Sequence, residues 1–271
     1  MQATSPFDTL ATTYDDDFTT SRIGQLQRKR VWKYLLPMLN ESGDSLNILE
    51  IGCGTGEDAL RLASMGHKVV ATDASAAMIG RANEKMSRTI IPLTGIRFNT
   101  CSFDQLKDRF SGQKFDLVFS NFGGLNCIDK KALVQLRDDL GTLLTADGKL
   151  FVVLMGSCCI REIVHFGIRG KWKTAFRRFK RTVDFSIGEN SMPVYYYSPA
   201  LLKTLLRPTF KVLQKWPVGL FIPPSYLENR FVADEKKLYR LEKKEEKFGS
   251  SSLAGFADHY CAIFYKLGIN A

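Results

Sequence analysis

Asn47–Leu60 reads NILEIGCGTGEDAL. Ile48, Leu49 and Ile51 form a short apolar run of the kind that crosses a sheet buried on both faces. Glycines at 52, 54 and 56 then close a tight loop, and Glu57 opens a helix. Such a loop brings backbone N–H groups and a helix N-terminus up to a ligand that side chains would otherwise hold off. His67–Ser75, HKVVATDAS, supplies a second strand ending on the carboxylate of Asp73. Outward from this pair the alternation continues. Strands are expected over 47–51, 68–72, 95–99, 115–120 and 149–155, helices over 57–65, 75–86 and 130–145, and a short turn near 103–110. Regular strand–helix alternation predicts an α/β fold, a mostly parallel sheet with helices on both faces.

The loop resembles motif I of class I S-adenosylmethionine (SAM)-dependent methyltransferases, V-L-D/E-x-G-C-G-x-G. The chain is similar to the small-molecule group that includes the ubiquinone and menaquinone biosynthesis methyltransferases. The dinucleotide fingerprint GxGxxG fits less well, because its third glycine falls on Glu57, and Glu57 with Asp58 would crowd a pyrophosphate. The resemblance implies a seven-stranded sheet whose last strand runs antiparallel between strands five and six. Strand six is expected over 210–216 and strand seven over 257–267, ADHYCAIFYKL. It also implies a single methyltransferase domain over 1–271, with an N-terminal helical segment, 1–46, lying over the cofactor. Cap insertions at 157–194 and 221–256 would then meet at the carboxyl edge of the sheet, where open α/β sheets bind ligands. Phe7–Asp15, FDTLATTYD, resembles the FD-x-x-A-x-x-YD start of many such enzymes, in which the tyrosine helps close the pocket. The alternative makes Tyr14 and Phe18 simple staples of the first helix.

SAM is the cofactor this resemblance implies, and it assigns the binding set as Tyr14, Glu50, Gly52, Cys53, Gly54, Gly56, Asp73, Ala74, Met78, Ser102, Phe103, Asn121 and Phe122. The glycines pass beneath the methionyl part, and Glu50 orients the loop or, through water, the amino group. Asp73 accepts both ribose hydroxyls, since one carboxylate offers two acceptor oxygens. Met78 packs against adenine. After strand three the family carries an acidic residue for the adenine amino group; Ser102 stands there, with Asp104 two residues on. Asn121 and Phe122 end strand four on the methyl side.

Methyl transfer is an in-line displacement at a carbon already activated by sulfur, so alignment and a dry pocket carry most of the catalysis. No nucleophile–base triad is visible in the sequence. His259, His165 and Tyr196 are the candidate proton acceptors; for His259 the other reading is a histidine that closes the sheet edge. No metal site is indicated, because the six cysteines form no CxxC pair or His-spaced cluster.

The chain has 271 residues, 45% hydrophobic content and a net charge of +10. No apolar run reaches the ~18 residues of a membrane span. The N-terminus lacks the basic start and apolar core of a secretion signal, so a cytoplasmic protein is expected. Arg161, Arg169, Lys171, Lys173, Arg177, Arg178, Lys180 and Arg181 crowd one stretch with only Glu162 opposing them. Ile163, Phe166, Trp172, Phe176 and Phe179 lie among them, the composition of an interfacial amphipathic helix. Peripheral membrane contact through 160–181 and a small anionic or amphiphilic acceptor follow as expectations. Nucleic acid is disfavoured, since NFGG after strand four replaces the NPPY-type tetrapeptide. The rival readings are an RNA methyltransferase using the basic insert and a non-catalytic SAM-binding module.

Overall fold

The computed structural model describes residues 5–41, 43–90, 92–187, 190–230 and 234–268. The parts of the N-terminal segment, of both expected insertions and of the C-terminus that fall on 1–4, 42, 188–189, 231–233 and 269–271 lie outside the described residues. The strands are β1 (Asn47–Ile51), β2 (Lys68–Asp73), β3 (Ile96–Thr100), β4 (Phe115–Ser120), β5 (Leu144–Met155), β6 (Thr182–Ile187), β7 (Asn190–Tyr195), β8 (Phe210–Val218) and β9 (His259–Lys266). The α-helices are α1 (Arg22–Glu41), α2 (Glu57–Ser64), α3 (Ala76–Ser87), α4 (Leu106–Arg109), α5 (Lys130–Leu143), α6 (Ile160–Gly167), α7 (Trp172–Ala175), α8 (Pro199–Leu206) and α9 (Glu235–Phe248).

Seven strands form one sheet in the order β3-β2-β1-β4-β5-β9-β8. β1 pairs in parallel with β2 and with β4, so the order of connection reverses between β1 and β4. β9 is antiparallel to both β5 and β8, as the family resemblance implies for the last strand. Side-chain alternation explains why the central strands read as unbroken apolar runs. Leu49, Ile51, Leu150, Val152 and Leu154 pack on one face against α5 and α8, whereas Ile48, Phe151 and Val153 pack on the other against Val31, Trp32 and Leu35 of α1. Both faces are covered by helices, which a mostly parallel sheet requires.

Two local outcomes differ from the sequence reading. β5 starts at Leu144, five residues before the expected 149: Phe115 faces Leu144 but Leu117 faces Lys149, so 145–148 bulge out of register. The basic stretch after β5 is not a single amphipathic helix. α6 ends at Gly167, Gly170 adopts φ +69°, α7 and a 3-10 turn at Arg177–Lys180 follow, and β6 and β7 form a separate two-stranded hairpin. Glycines at 167 and 170 interrupt the helical repeat before a long helix can form.

Candidate functional site

Every element that bears on the site ends at the carboxyl edge, around the reversal between β1 and β4. Gly52, Gly54 and Gly56 all have positive φ, of 68°, 54° and 78°. At Gly56 a Cβ would sit 2.7 Å from the Phe98 ring and 2.9 Å from Ala82, so the loop is pressed into the helix–sheet seam. Asp73 holds the loop in place, one oxygen accepting from Gly54 N at 2.9 Å and the other from Ser75 N at 2.9 Å. Burial raises its carboxyl above the usual range, and these backbone donors pull it part of the way back. Ala74 is exposed beside it, and Met78 is buried in the first turn of α3, its N–H capped by Ser75.

Glu50 is 1% exposed on β1, and its Oε2 has no hydrogen-bond partner among the described residues. Burial pushes its carboxyl well up, with the Asp58 and Asp73 charges adding to the effect. An orphaned, buried acceptor beside three glycines is what a site for a cationic or amino-bearing ligand offers before that ligand arrives. The cavity shared by Glu50, Gly52, Cys53, Asn121 and Tyr14 holds about 20 Å³.

The N-terminal segment closes this cavity. The Tyr14 ring stands 3.7 Å from where a Cβ of Gly54 would be, and burial raises its hydroxyl to about 12. Two aspartates fasten the segment. Asp8 accepts from Ser75 Oγ at 2.5 Å, and Asp15 accepts from Thr55 Oγ1 at 2.6 Å and Lys85 Nζ at 2.8 Å. Thus Phe7–Asp15 reaches both the glycine loop and the turn after Asp73. Asp8 and Asp15 were legible only as members of a motif, not as latches.

Asp58 joins three elements. It accepts from the Arg28 guanidinium, from Trp32 Nε1 at 2.7 Å and from Asn121 Nδ2 at 2.8 Å. Asn121 is therefore committed to Asp58 and, through Oδ1, to the Phe122 N–H at 2.9 Å. Sequence reading saw Asp58 only as an acid crowding the helix start. The signal for its partners lies in α1, where Arg28 and Trp32 are four residues apart and so share a helix face.

Phe122 has φ 45°, unusual for an aromatic residue and a sign of backbone strain held by its surroundings. Those surroundings are Phe18, edge-on at 4.7 Å, His259, edge-on at 5.6 Å, and the Arg28 guanidinium 5.2 Å above the ring. His259 is 9% exposed, and its Nδ1 lies 3.1 Å from Asp258 Oδ2. Asp258 also receives Gln27 Nε2 at 3.1 Å and Arg178 Nη2 at 2.6 Å. Burial pushes the Asp258 carboxyl up, but His259 and Arg178 more than offset this and hold it well below the usual carboxylate range. Arg178 bridges onward to Glu162 of α6, which is 1% exposed.

Of the other expected residues, Cys53 and Phe103 border the glycine loop, whereas Tyr196 and His165 lie apart from it. Ser102 Oγ donates to Asp104 Oδ1 at 2.5 Å, so Ser102 and Asp104 meet as one pair at the end of β3. The Phe103 ring lies 3.5 Å from a Cβ position at Gly52. Cys53 continues the strand pairing through its N–H to Thr72 O. Tyr196 is buried under the Arg178 guanidinium, 5.2 Å from its ring, and burial raises its hydroxyl. His165 packs edge-on against Phe166 in α6. Cys159, Glu162 and Asp258 bring ligand-type atoms within 4.8 Å of one another, but Arg178 already bridges the two carboxylates. Arg177 and Arg178, expected on a basic surface, instead turn inward onto Glu162.

Asn126 escaped the sequence reading altogether. It is fully buried beyond β4, accepting from Met155 N at 2.8 Å and donating to Met155 O at 3.2 Å and Tyr195 O at 2.5 Å. It ties the end of β5 to the end of β7. Asn126→Ala leaves these buried groups unpaired and is expected to cost about 1–3 kcal/mol, read as a lower urea midpoint at unchanged slope.

The family model for the methyltransferase domain matches residues 48–148. Over 79 residues the chain is 35% identical to the tRNA 5-carboxymethoxyuridine methyltransferase of Escherichia coli K12, a match spanning 29% of this chain and 30% of that one. Among solved structures, the CcbJ methyltransferase of Streptomyces caelestis superposes with a TM-score of 0.63 at 14% identity, covering 98% of this chain and 99% of the other. The magnesium protoporphyrin IX methyltransferase of Synechocystis PCC 6803, with bound SAH, gives 0.57 at 16% identity, covering 90% and 85%.

Proposed function

We propose, from the premise that residues 48–148 form a methyltransferase domain within a chain of class I methyltransferase fold, that this protein is an enzyme that moves a methyl group from SAM to a small-molecule acceptor. The observation that carries the reading is the contact between Asp73 and the Gly54 amide. It sets a carboxylate and a side-chain-free loop together at the carboxyl ends of adjacent parallel strands, on the edge where α/β sheets take nucleosides.

SAM supplies a methyl group already activated by its sulfonium. The chain's own residues bind and align. Gly52, Gly54 and Gly56 keep Cβ atoms out of the methionyl path, Asp73 has lone pairs left for the ribose hydroxyls, and Glu50 faces the amino end. Ser102 and Phe103 border the adenine side, while Asn121 and Phe122 border the methyl side. His259, beside Asp258 and packed edge-on against Phe122, is the candidate to take a proton from the acceptor. The cavity beside Glu50 is about one water in size, so the Tyr14 ring has to give way for a methionyl group to occupy it. The aromatic surroundings of His259 favour an acceptor with an apolar body.

The direct test is formation of S-adenosylhomocysteine with acidic phenols or lipid extracts as acceptors. The match to a tRNA methyltransferase favours a second reading, an RNA acceptor, and turnover on tRNA alone would select it. SAM binding without turnover on any acceptor would instead mark a non-catalytic SAM-binding module. A further expectation concerns protons. An arriving ammonium lowers the raised pKa of Glu50, so SAM binding is expected to release a proton, read by calorimetry as a heat that changes with buffer ionisation enthalpy. Glu50→Gln is expected to abolish that dependence; a wild-type heat independent of buffer would count against the Glu50 role.

A further inference from the structure

We propose that the outer surface of residues 160–181 docks on an anionic lipid surface. Ile160, Val164 and Ile168 recur every four residues along one face of α6 and its end, and they are 43%, 51% and 76% exposed. The Trp172 ring lies 3.2 Å from a Cβ position at Gly167, next to that face. It stacks on Phe176 at 6.2 Å, and Phe176 meets Phe179 at 5.8 Å. The result is one apolar track running from the helix through the turns after it. Apolar patches of this kind on a protein surface mark contact sites.

The charge around the track decides its partner. Arg169, Lys171, Lys173, Lys180 and Arg181 are exposed, whereas Glu162, the stretch's only acid, is buried beneath them on Arg178. Every outward charge is therefore positive, as an anionic surface requires. Single-stranded nucleic acid also attracts cations with aromatic rings, but it uses rings on which bases stack. Ile160, Val164 and Ile168 offer no such face, and the mixture of aliphatic and aromatic side chains with lysines is that of an interfacial segment. Glu162, Arg178 and Asp258 lock this segment to the start of β9, so docking brings the His259 edge to the lipid. The surface itself stands independently of the methyl-transfer reading.

Trp172 makes the test direct, because Trp32 is 1% exposed and Trp216 is stacked on Tyr34. The full chain is titrated with phosphatidylcholine vesicles, with and without phosphatidylserine. Co-sedimentation with the anionic vesicles only, a blue shift of Trp172 emission and weakening with added salt are expected. Lys171→Glu and Lys173→Glu should each weaken binding about fivefold or more, the value of one cation near an anionic surface. Trp172→Phe should remove the blue shift, and Phe179→Ala should reduce co-sedimentation; all four sites are exposed, and thermal melts check that the fold is intact. Equal binding to neutral vesicles, no binding, or a Trp172 emission that does not move would overturn the proposal. So would tRNA binding without vesicle binding, or a dimer whose Trp172 is already blue-shifted and closed to vesicles.

Discussion

Asp73→Ala is expected to weaken SAM binding at least about 100-fold, by isothermal calorimetry, while leaving a folded protein. Two hydrogen bonds from ribose hydroxyls to a buried carboxylate are worth about 1.5–3 kcal/mol each, so their joint loss reaches that range. The substitution also frees Gly54 N and Ser75 N, the donors that fix the loop and the start of α3 against each other. Asp73→Asn separates the two contributions. One of its atoms still accepts, but its NH₂ opposes one of the two backbone donors, so affinity should fall nearly as far even though the shape is kept. Thermal melts without ligand should shift far less than the binding constant, because burial already makes this carboxyl costly in the empty site. Unchanged SAM affinity in both variants would remove Asp73 from the site, and with it the orientation proposed for the nucleoside.

The parts of this arrangement that were legible in the sequence are those set by local rules. β1, the glycine loop and Asp73 follow from a two-sided apolar run, from positions that demand positive φ, and from a carboxylate at a strand end. The antiparallel β9 followed only through family resemblance, since nothing in its own alternation fixes direction. What stayed hidden depends on pairs distant in sequence. Asp58 meets Arg28 and Trp32 thirty and twenty-six residues away, and Arg178 meets Asp258 eighty residues away. Charge counting treated Arg177 and Arg178 as surface cations because composition carries no information on which face turns inward. The β6–β7 hairpin was missed for a related reason. Val183, Phe185 and Val194 alternate weakly among polar residues, and the hairpin lies apart from the main sheet, so little burial is imprinted on its pattern.

The largest effect on stability is expected from Arg178→Met. Arg178 is 4% exposed and serves Glu162 and Asp258 together, with a further bond to the Asp258 carbonyl at 2.8 Å. Removing it takes away the counter-charge these two buried carboxylates share, leaving Glu162 to Arg177 and Asp258 to Gln27 and His259, a loss of about 3–5 kcal/mol. For a chain of this size that is a fall in Tm on the order of 10 °C. The pH dependence gives the cause away. Asp258 titrates below its unfolded value near 4, so its contribution is fully present above that value and is lost as pH falls through the depressed folded pKa. Without Arg178 that depression shrinks, so the deficit of the variant should be large at neutral pH and narrow in acid, where both proteins protonate the group. Arg178→Lys should recover only part of the loss, because a single ammonium cannot reproduce the fork that reaches Glu162 and Asp258 at once. A deficit of equal size in acid and at neutral pH would mean that lost packing, not stranded charge, explains the variant. In that case α6 would be held to the sheet edge by apolar contacts, and the orientation of His259 would rest on its edge-on packing against Phe122.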